Sequence, residues 1–436
     1  MSTATVKFSL EEDRTIRYAT CLVALGAISG AAVACGGWLG AAALLLCALL
    51  VRWPVQTALG SFALLLPFDS VSAIGGEATG TALTRYVGGF AALVLLVVGL
   101  ISKRFSLPPR AALWWSLFVL WGLATLGWAA NSQFAFERLP TALSLWSFYL
   151  IATAFRIREK EMSVVLLLAV IGGCVAAVIS IHGFYTGTFY MQSTRSSLMM
   201  GNRDTDPNQF GASLLLPLSL AIGAVVQGRD RKLRTCAAAS IGLLSLALLL
   251  SMSRGALAAA LTVIVVYLRR LGLNRRTVLS IILLAALLLL MPHTFFVRLG
   301  LSDRGAGRLD IWTASMDLVP RYGLFGAGWN NFVVAYSAIA GHAASFRGYT
   351  RGSHSIYVGM LIEVGIVGLL FLLLAFRSHL REAKARALLP YAATGWAMVV
   401  MGVTLDIVWR KSFWFAWIIL AMAVRLRNST NEETAV

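Results

Sequence analysis

His354 is the residue of this sequence best suited to proton transfer, because it stands directly before an apolar segment. A histidine in such a place can take a proton near neutral pH, as a general base must. The alternative is an interfacial residue that only makes hydrogen bonds. The spacing predicts that His354 opens an apolar helix over residues 354–376. Glu363 would then lie about 13 Å deeper on nearly the opposite face, so we predict that it ties the helices together or is protonated.

Arg254 lies in a small polar break, residues 251–255, between two apolar segments. A cation at the end of a helical hairpin is costly to bury unless it faces a wet cavity or a partner. Arg254 is therefore predicted either to bind an anionic ligand or to anchor the hairpin. The planar guanidinium fork suits phosphate oxygens in particular.

Two carboxylates beside apolar segments are further candidates. Asp206, followed by a proline and by Asn208, has the pattern of an ordinary helix start, with aspartate as the N-cap. Asp406 is followed by Arg410 and Lys411 and is predicted to form an ion pair or to be a carboxylate of the site. Spacing alone leaves both interpretations of Asp406 open.

Metal and disulfide chemistry are not indicated by the remaining reactive side chains. The other histidines show no metal-like arrangement with carboxylates, so we predict no metal site. The five cysteines lie in or beside apolar segments without a Cys-x-x-Cys spacing, which is typical of small buried residues. The histidines concerned are His182, His293, His342 and His379.

The elements that must position these residues are membrane-spanning helices. Hydrophobic residues make up 58% of the 436 residues and charged residues 13%, with a mean hydropathy of +0.78. Repeated apolar runs approach the roughly 20 residues that cross the hydrocarbon layer as a helix. We predict an all-α polytopic membrane protein with 12 to 14 transmembrane helices. The predicted spans are 17–33, 37–51, 55–67, 83–102, 111–130, 141–155, 163–183, 208–227, 235–252, 255–268, 277–296, 354–376, 388–406 and 412–424.

The net charge of +18 reflects membrane topology rather than nucleic-acid binding, because the basic residues are unevenly distributed. Threading the spans with both termini on one side places 24 of the 37 basic residues there, and the positive-inside rule makes that side cytoplasmic. The candidate reactive residues then share the other side. Of the thirteen basic residues on that side, twelve are arginines, for which the alternative role is contact with lipid headgroups. They are Arg85, Arg138, Arg195, Arg203, Arg254, Arg298, Arg304, Arg308, Arg321, Arg347, Arg351, Arg410 and Lys411.

Two connections on this outer side are long, residues 184–207 and residues 297–353. The second is the candidate for a small extramembrane subdomain, and it divides the chain into a transmembrane bundle over residues 1–296, the loop itself, and C-terminal transmembrane helices over residues 354–436. Apolar residues recur at helical spacing in residues 307–319, which predicts a helix. Glycines at positions 323, 326 and 328 predict turns after it.

The sequence resembles the superfamily of bacterial O-antigen ligases and O-antigen polymerases, over most of the chain. The resemblance comes from the many spans, one large late outer loop and a histidine-led segment that closes it. Many relatives carry asparagine after the histidine, where this chain has Ser355. The local matches are Asp-Pro-Asn-Gln (206–209), Ser-Arg-Gly (253–255), Gly-Arg (307–308) with Trp312, Gly-Ala-Gly-Trp-Asn (326–330), and the segment 354–368 with its histidine, Glu-Val-Gly and final glycine.

The resemblance implies a GT-C-like fold and an active site on the periplasmic face of the bacterial inner membrane. A glycan would be transferred from undecaprenyl diphosphate to a sugar hydroxyl of lipid A–core, with inversion and without nucleotide, metal or other cofactor. His354 would be the general base, and Arg254 and Arg308 would bind the diphosphate. Further residues predicted to contact the substrates are Arg195, Arg203, Asp206, Asn208, Arg304, Arg347, Tyr357 and Asp406.

Alternatives to the ligase remain within and outside this superfamily. O-antigen polymerases and protein O-oligosaccharyltransferases share the same pattern. The ligase is favoured because the loop over residues 297–353 is moderate in size and basic, which suits a phosphorylated core acceptor. A transporter of lipid-linked sugars would show ionisable residues deep in several spans and inverted repeats. In this chain Glu363 is the main deep charge.

Overall fold

The computed structural model describes residues 45, 48–74, 81–200, 203–271, 307–339 and 352–435. Arg304, Arg347 and the predicted span 277–296 lie outside these residues. The described part is almost entirely helical, with two short antiparallel hairpins, β1 (Ala73–Ile74) with β2 (Thr81–Ala82) and β3 (Met199–Met200) with β4 (Arg203–Asp204). The helices are α1 (Pro54–Leu65), α2 (Leu83–Ile101), α3 (Arg110–Ala124), α4 (Ser132–Ala154), α5 (Glu159–Tyr185), α6 (Pro207–Gln227), α7 (Arg231–Leu250), α8 (Arg254–Leu271), α9 (Arg308–Met316), α10 (Val319–Tyr322), α11 (Phe332–Ser337), α12 (Ile356–Glu363), α13 (Gly365–Glu382), α14 (Leu389–Thr404) and α15 (Lys411–Ala435).

Six helices within the described residues are long and apolar enough to cross a membrane, which confirms the prediction of an all-α polytopic membrane protein. Shorter or more polar helices, such as α1 and α15, accompany them. The total of 12 to 14 crossings stays a prediction, because part of the chain lies outside the described residues. The six spans are Leu83–Ile101, Arg110–Trp128, Glu159–Tyr185, Pro207–Gln227, Arg231–Leu250 and Arg386–Thr404.

The exposed face of α5 shows why the bundle needs lipid around it. Val164, Leu167, Ile171, Val175 and Val178 are all exposed and recur every three or four residues, so they form one apolar stripe along the helix. Such a stripe is unfavourable in water but stable against acyl chains. The burial pattern therefore agrees with the spans predicted from hydropathy.

Helix α6 lies at the centre of the bundle. Of its most apolar window 78% is buried, against 39% for α5. It packs against α5, α7 and α14, while α8 lies along α14 and α15 closes the bundle against α4, α6 and α14. The first half of α15, which carries Phe413, Trp414 and Trp417, is buried among these helices. The central helices therefore fix the positions at which the surrounding helices end.

One end of the bundle, which we call the site end, collects the long connections and the candidate reactive residues. Lys411 at the start of α15 pairs with Asp69 after α1, at 2.5 Å. The backbone N–H of Ala130 donates to the carbonyl of Ala327 at 2.7 Å, which joins the α3–α4 connection to the large loop. The described parts of the connections that meet there are residues 66–74, 81–82, 125–131, 186–200, 203–206, 251–253 and 405–410, together with the described parts of the large loop.

The opposite end of the bundle gathers residues that the sequence assigned to the other side of the membrane. Arg104 donates to the carbonyl of Arg156 and pairs with Glu161. Arg270 donates to the carbonyl oxygen of Lys384 at 2.9 Å. These described members of the two groups of basic residues that were separated by threading the spans therefore lie at the two ends of the bundle.

The predicted helix over residues 354–376 is wrong in two respects. It begins at Ile356 rather than at His354, and it breaks after eight residues into α12 and α13. Val364 leaves the helical conformation, and Gly365 adopts a positive φ of 67°, which glycine tolerates without steric cost. Hydropathy did not signal this break, because both halves are equally apolar.

A loop from the large connection fills the break between α12 and α13. The N–H groups of Ala327 and Gly328 donate to the carbonyls of Ile362 and Glu363 at 2.7 and 3.0 Å, and Ile366 donates back to Gly323 at 2.8 Å. These bonds satisfy backbone groups that a broken helix would otherwise leave unpaired. The predicted turn around the glycines is thus the segment that holds the broken helix together.

The carboxylate of Glu363 fastens the same loop. Its Oε2 accepts from the N–H of Asn330 at 3.0 Å, and its Oε1 accepts from the N–H of Phe332 at 3.3 Å. Glu363 is only 4% exposed, so these bonds form in surroundings where an unpaired charge would be very costly. These bonds confirm the prediction that Glu363 ties parts of the structure together.

We expect Gly326→Ala to destabilise the protein strongly. Gly326 has a φ of +90°, and a Cβ there would lie 2.2 Å from the carbonyl oxygen of Glu363. Gly187 has a φ of +77° with nothing within 4 Å of an added Cβ, so Gly187→Ala isolates the backbone strain of about 1 kcal/mol. Gly326→Ala should lower the free energy of unfolding by about 3 kcal/mol, because overpacking adds to that strain. Thermal unfolding of the two variants in detergent checks this, and equal midpoints would contradict the docking of the loop.

We expect Glu363→Gln to loosen the loop without unfolding the bundle. A glutamine side chain offers one acceptor oxygen, so one of the two N–H groups of Asn330 and Phe332 would be left unsatisfied at a cost of about 1–3 kcal/mol. Hydrogen exchange at residues 327–334 should accelerate by about ten- to a hundredfold. Glu382→Gln, at the other end of α13, is the matched control and should leave this exchange unchanged. Unaltered exchange in Glu363→Gln would show that the carboxylate does not hold the loop.

Candidate functional site

His354 lies in a tight turn just before α12, with a positive φ of 48°. The turn is fixed by Ser353, whose hydroxyl donates to the carbonyl of Ser355 at 2.9 Å and accepts from the N–H of the same residue at 3.3 Å. A non-glycine residue in this conformation is strained and persists only where its surroundings hold it. Ser353 is therefore the residue that sets the backbone of His354, which is itself half-buried.

Ser355 is the N-cap of α12, and its side-chain oxygen accepts from the N–H of Val358 at 3.5 Å. Serine and asparagine are both favourable N-caps. The replacement of the family's asparagine by serine in this chain therefore preserves a helix cap. The same cap explains why the helix begins at Ile356 and leaves His354 outside it.

Helix α9 places Arg308 near the histidine turn. The indole N–H of Trp312 donates to the carbonyl of Ser353 at 2.9 Å, so α9 is tied to the residue directly before His354. Arg308 precedes Trp312 by four residues and therefore shares its face of the helix. The predicted helix in residues 307–319 is confirmed over Arg308–Met316 and is followed by the short α10, which begins before Pro320.

Helix α14 connects the histidine turn with Arg254. A Cβ on Gly255 would lie 1.9 Å from Thr404 Oγ1, and a Cβ on Gly402 would lie 2.6 Å from Ile356 Cγ2. Positions 402 and 404 differ by only about 3 Å along the helix axis and face roughly opposite sides. The segments that carry His354 and Arg254 therefore flank the same end of α14 at nearly the same depth.

Tyr357, which the sequence placed among the substrate contacts, has its hydroxyl turned towards α14. It donates to the carbonyl of Val399 at 2.7 Å. The hydroxyl thus fixes the distance between α12 and α14, which is a positioning role for His354. The expected contact of Tyr357 with the substrates stays a prediction.

Arg195 and Asn208 are brought together with the polar break before α8. The guanidinium of Arg195 donates to Asn208 Oδ1 and to the carbonyl of Ser251, both at 3.0 Å. Ser253 donates to the same Asn208 oxygen at 2.8 Å. Arg195 is only 9% exposed, so this network holds a buried cation beside Arg254, the first residue of α8.

Arg203 and Asp206 belong to the folded part of the first long loop. Arg203 pairs with Met200 in the β3–β4 hairpin, and the N–H of Thr205 donates to the carbonyl of Leu198. Asp206 is the N-cap of α6, as the pattern predicted, because its Oδ1 accepts from the N–H groups of Asn208 and Gln209. Its carboxylate is thus engaged in starting the helix that carries Asn208.

Asp406 lies in the connection between α14 and α15. Its Oδ1 is shielded from solvent and has no hydrogen-bond partner in the described part of the chain. Burial raises the pKa of Asp406, whereas the positive charges of Arg410 and Arg138 and a hydrogen bond from the N–H of Val408 lower it. Lys411 pairs with Asp69 instead, so the ion pair that the sequence allowed between Lys411 and Asp406 is not formed.

Glu363 is a second acidic group that interacts with the connection between α14 and α15. Glu363 and Asp406 repel each other, and the guanidinium of Arg138 attracts both. Burial lowers the pKa of Arg410, and the carboxylates of Asp69, Asp406 and Asp206 oppose that effect. The site end therefore combines several buried or half-buried charges of both signs.

A narrow crevice opens beside Arg410 between the end of α1, the start of α6 and the start of α15. Thr205, which is 3% exposed, faces this crevice, and its Oγ1 has no hydrogen-bond partner among the described residues. Buried polar atoms are nearly always paired, so Thr205 offers unused hydrogen-bonding capacity to a polar ligand in the crevice. The polar residues lining the crevice are Asp69, Ser70, Thr205, Gln209, Arg410, Ser412 and Ser213.

Sequence reasoning missed three residues that organise the site, namely Asp69, Ser353 and the indole of Trp312 as a hydrogen-bond donor. Asp69 follows an apolar segment and lies at the site end, so an acidic residue at a span end was the available signal. Ser353 and Trp312 act through backbone carbonyl and amide groups, which side-chain patterns do not reveal. His, Cys, Asp and Glu form no group of three that could hold a metal ion within the described ranges.

The arrangement suits transfer chemistry on an anionic substrate. It combines a half-buried histidine, arginines on three separate segments and unused hydroxyl and carboxylate acceptors at one end of a membrane bundle. An arginine cluster can neutralise charge that develops on a phosphate leaving group, and a neutral histidine can accept a proton from a hydroxyl.

Comparison with known protein families assigns this region. The family model described as O-Antigen ligase matches residues 239–373, which include Arg254, Arg308 and His354. No curated protein gives a significant match to the chain. The matched segment also contains the loop that docks on Glu363 and the break between α12 and α13. Residues 239–373 of this chain are thus similar to the O-antigen ligase family, and over this segment the match supports the resemblance seen in the sequence.

Proposed function

We propose that the protein transfers a glycan from undecaprenyl diphosphate to a sugar hydroxyl of lipid A–core, at the periplasmic face of the bacterial inner membrane. The excess of basic residues at the opposite end of the bundle supports this orientation, since basic residues concentrate on the cytoplasmic side. The site end is then periplasmic, where both the lipid-linked donor and the lipid A–core acceptor are reachable from the membrane.

The observation that carries the proposal is the hydrogen bond between Trp312 and the carbonyl of Ser353. It ties the helix of Arg308 to the turn of His354, and α14 places the segment of Arg254 at the same level on its other side. A base for the acceptor and cations for the leaving group are thereby held at one end of one helix. Preorganisation of this kind is the largest contribution that an enzyme makes to such a transfer.

In the proposed reaction His354 takes the proton of the acceptor hydroxyl while its oxygen attacks the anomeric carbon of the donor sugar. The bond between that carbon and the diphosphate oxygen breaks, and undecaprenyl diphosphate leaves with the bonding electrons. A single displacement inverts the anomeric configuration. The family's independence from nucleotide and metal is consistent with this scheme, because the donor is already activated.

Arg254 and Arg308 are proposed to bind the diphosphate. Both offer several donors in a fixed plane, and negative charge on the diphosphate increases as the bond breaks, so their interaction strengthens in the transition state. Arg195 supports Arg254 through Asn208 and Ser253, which contact both segments. Thr205 and Asp406, with unused hydrogen-bonding atoms, are candidates for contacts with sugar hydroxyls.

We expect His354→Asn to abolish glycan transfer while the protein stays folded in the membrane. Asparagine tolerates the positive φ of 48° that His354 adopts, but it cannot accept a proton at neutral pH. Purified protein with undecaprenyl-diphosphate glycan and lipid A–core, without ATP or added metal, measures the product directly. The loss should be about 10²- to 10⁴-fold.

The control for folding is the unfolding temperature of His354→Asn, which should remain within a few degrees of the wild type. Glycan-bearing lipid A produced at the wild-type rate by this variant would eliminate His354 as the base. A wild-type protein that lengthens the lipid-linked glycan instead of modifying lipid A–core would belong to the polymerase branch. If the wild type forms neither of these products, the alternative of a transporter of lipid-linked sugars becomes the favoured function.

We expect Arg254→Ala to reduce transfer by about 10²- to 10³-fold, because a donor aimed at developing charge is removed. Arg254→Lys should restore part of the rate, since lysine keeps the charge but not the planar fork. Arg321→Ala is the matched control. Arg321 is also predicted on the outer side but is exposed and stacks over the ring of Tyr322 at 5.1 Å, so its removal should change the rate less than twofold. Equal losses in the Arg254 and Arg321 variants would indicate a general charge effect.

A further inference from the structure

A second polar cavity lies at the end of the bundle opposite His354. It has a volume of about 300 Å³ and opens to the surroundings between the α4–α5 connection and the last described turns of α15. Apolar residues form one part of its lining, which we call the apolar wall, and polar and basic residues form the rest. The residues that line it are Ser106, Phe155, Arg156, Ile157, Met422, Arg425, Leu426, Asn428 and Ser429.

Two cations face this cavity, and its described lining contains no acidic side chain. Arg425 donates to the carbonyl of Thr153 and to the hydroxyl of Ser106, which are both neutral acceptors. Arg156 is exposed, and its carbonyl accepts from Arg104. Among the residues whose side chains the structure describes, the two guanidinium groups therefore share one cavity whose lining has no carboxylate.

The nearby carboxylate of Glu161 is already engaged. It pairs with Arg104, which also stacks over the ring of Phe155 at 4.4 Å, and its Oε2 accepts from the N–H of Arg158 at 2.8 Å. Glu161 thus neutralises Arg104 and caps the start of α5. Within the described part of the chain, neither Arg156 nor Arg425 forms an ion pair of this kind.

The lowered pKa of Arg425 is consistent with a site at which a bound anion would be favourable. Burial lowers the pKa of Arg425, and the positive charge of Arg156 lowers it further. An anion placed between the two guanidinium groups would oppose this lowering of the pKa, because opposite charge favours the ionised form. Ser106 and Asn428 would add neutral hydrogen-bond donors around it, whereas the hydroxyl of Ser429 already donates to the carbonyl of Leu426 at 2.8 Å.

The position of the cavity selects the kind of anion. It lies where α4 ends and α5 begins, at the level at which the apolar part of the bundle gives way to charged residues. Phe155, Ile157, Met422 and Leu426 supply apolar surface beside the two arginines. A phosphate with acyl chains attached matches both the basic residues and the apolar wall, whereas a free phosphate ion matches only the basic residues.

We propose that this cavity binds the phosphate group of an anionic phospholipid, with Arg156 and Arg425 as its ligands and the apolar wall in contact with an acyl chain. The site is separate from the residues proposed for glycan transfer. Its occupation anchors the α4–α5 connection and the end of α15 to the membrane surface. The proposal of this lipid site does not depend on the proposed reaction, because it is tested by lipid binding rather than by glycan transfer.

Native mass spectrometry of the full chain, released from detergent and titrated with phosphatidylglycerol or with phosphatidylcholine, tests this site. Phosphatidylglycerol should bind more tightly, since it carries a net negative charge. Arg156→Glu should weaken phosphatidylglycerol binding by about tenfold or more, as reversal of one cation near the headgroup removes roughly that much. Arg425→Gln, which keeps hydrogen-bond donors for Ser106 and Thr153, should weaken it about fivefold to tenfold.

Arg427→Glu is the matched control, because Arg427 is exposed on α15 two residues from Arg425 and does not line the cavity. It should leave the affinity unchanged. Equal weakening by Arg156→Glu and Arg427→Glu would show that the basic end attracts lipid only through its overall charge and would overturn the site. Displacement of phosphatidylglycerol by millimolar inorganic phosphate, or equal binding of phosphatidylcholine, would also contradict an anionic lipid as the occupant. Unchanged binding in Arg425→Gln, with its fold intact by thermal unfolding, would exclude Arg425 as a ligand.

Discussion

The site end depends on how the chain satisfies backbone groups where the helix of residues 356–382 is interrupted. A break in a membrane-spanning segment is tolerated only where protein supplies the missing partners. Here the loop of residues 323–332 supplies them, and the carboxylate of Glu363 receives two N–H groups of that loop. One buried side chain thereby connects the large loop, the start of α11 and both halves of the broken helix.

The consequences of that connection extend beyond α12. The same loop contacts the α3–α4 connection, where Asn131 donates to Asn331 Oδ1 at 2.8 Å and Thr125 Oγ1 accepts from the N–H of Trp329 at 3.1 Å. Trp329 in turn packs on Trp409, with ring centroids 5.2 Å apart. Polar bonds inside an apolar bundle are strong and directional, so the outer ends of helices distant in sequence are held in one arrangement.

Much of this arrangement followed from local patterns in the sequence, and the rest did not. The cap at Asp206, the polar break before Arg254 and the helix that begins at Arg308 are local features, and each formed as the spacing indicated. The conformation of His354 could not be foreseen, because it is imposed by the hydroxyl of Ser353 and by a helix that starts two residues later. Hydropathy also continues without a signal across Gly365.

Contacts between residues that are distant in the chain were the second limit to prediction from the sequence. An ion pair between Lys411 and Asp406, five residues away, was one of the predictions. Lys411 instead pairs with Asp69, which is distant in the sequence. Trp312 and Ser353 are likewise far apart in the chain and meet through a backbone carbonyl. The residue types suited to chemistry were visible in the sequence, whereas the groups that aim them required the packed bundle.

The place of α14 between the two halves of the site has a consequence for biosynthesis. Gly255 and Ile356 both pack against this helix, at Thr404 and Gly402, and α14 emerges from the ribosome after both of them. Until the hairpin of α14 and α15 has entered the membrane, the histidine turn and the arginine hairpin have no common support. Insertion of this hairpin thus completes the proposed site, and a chain that is inserted only as far as α13 carries the candidate residues without their common support.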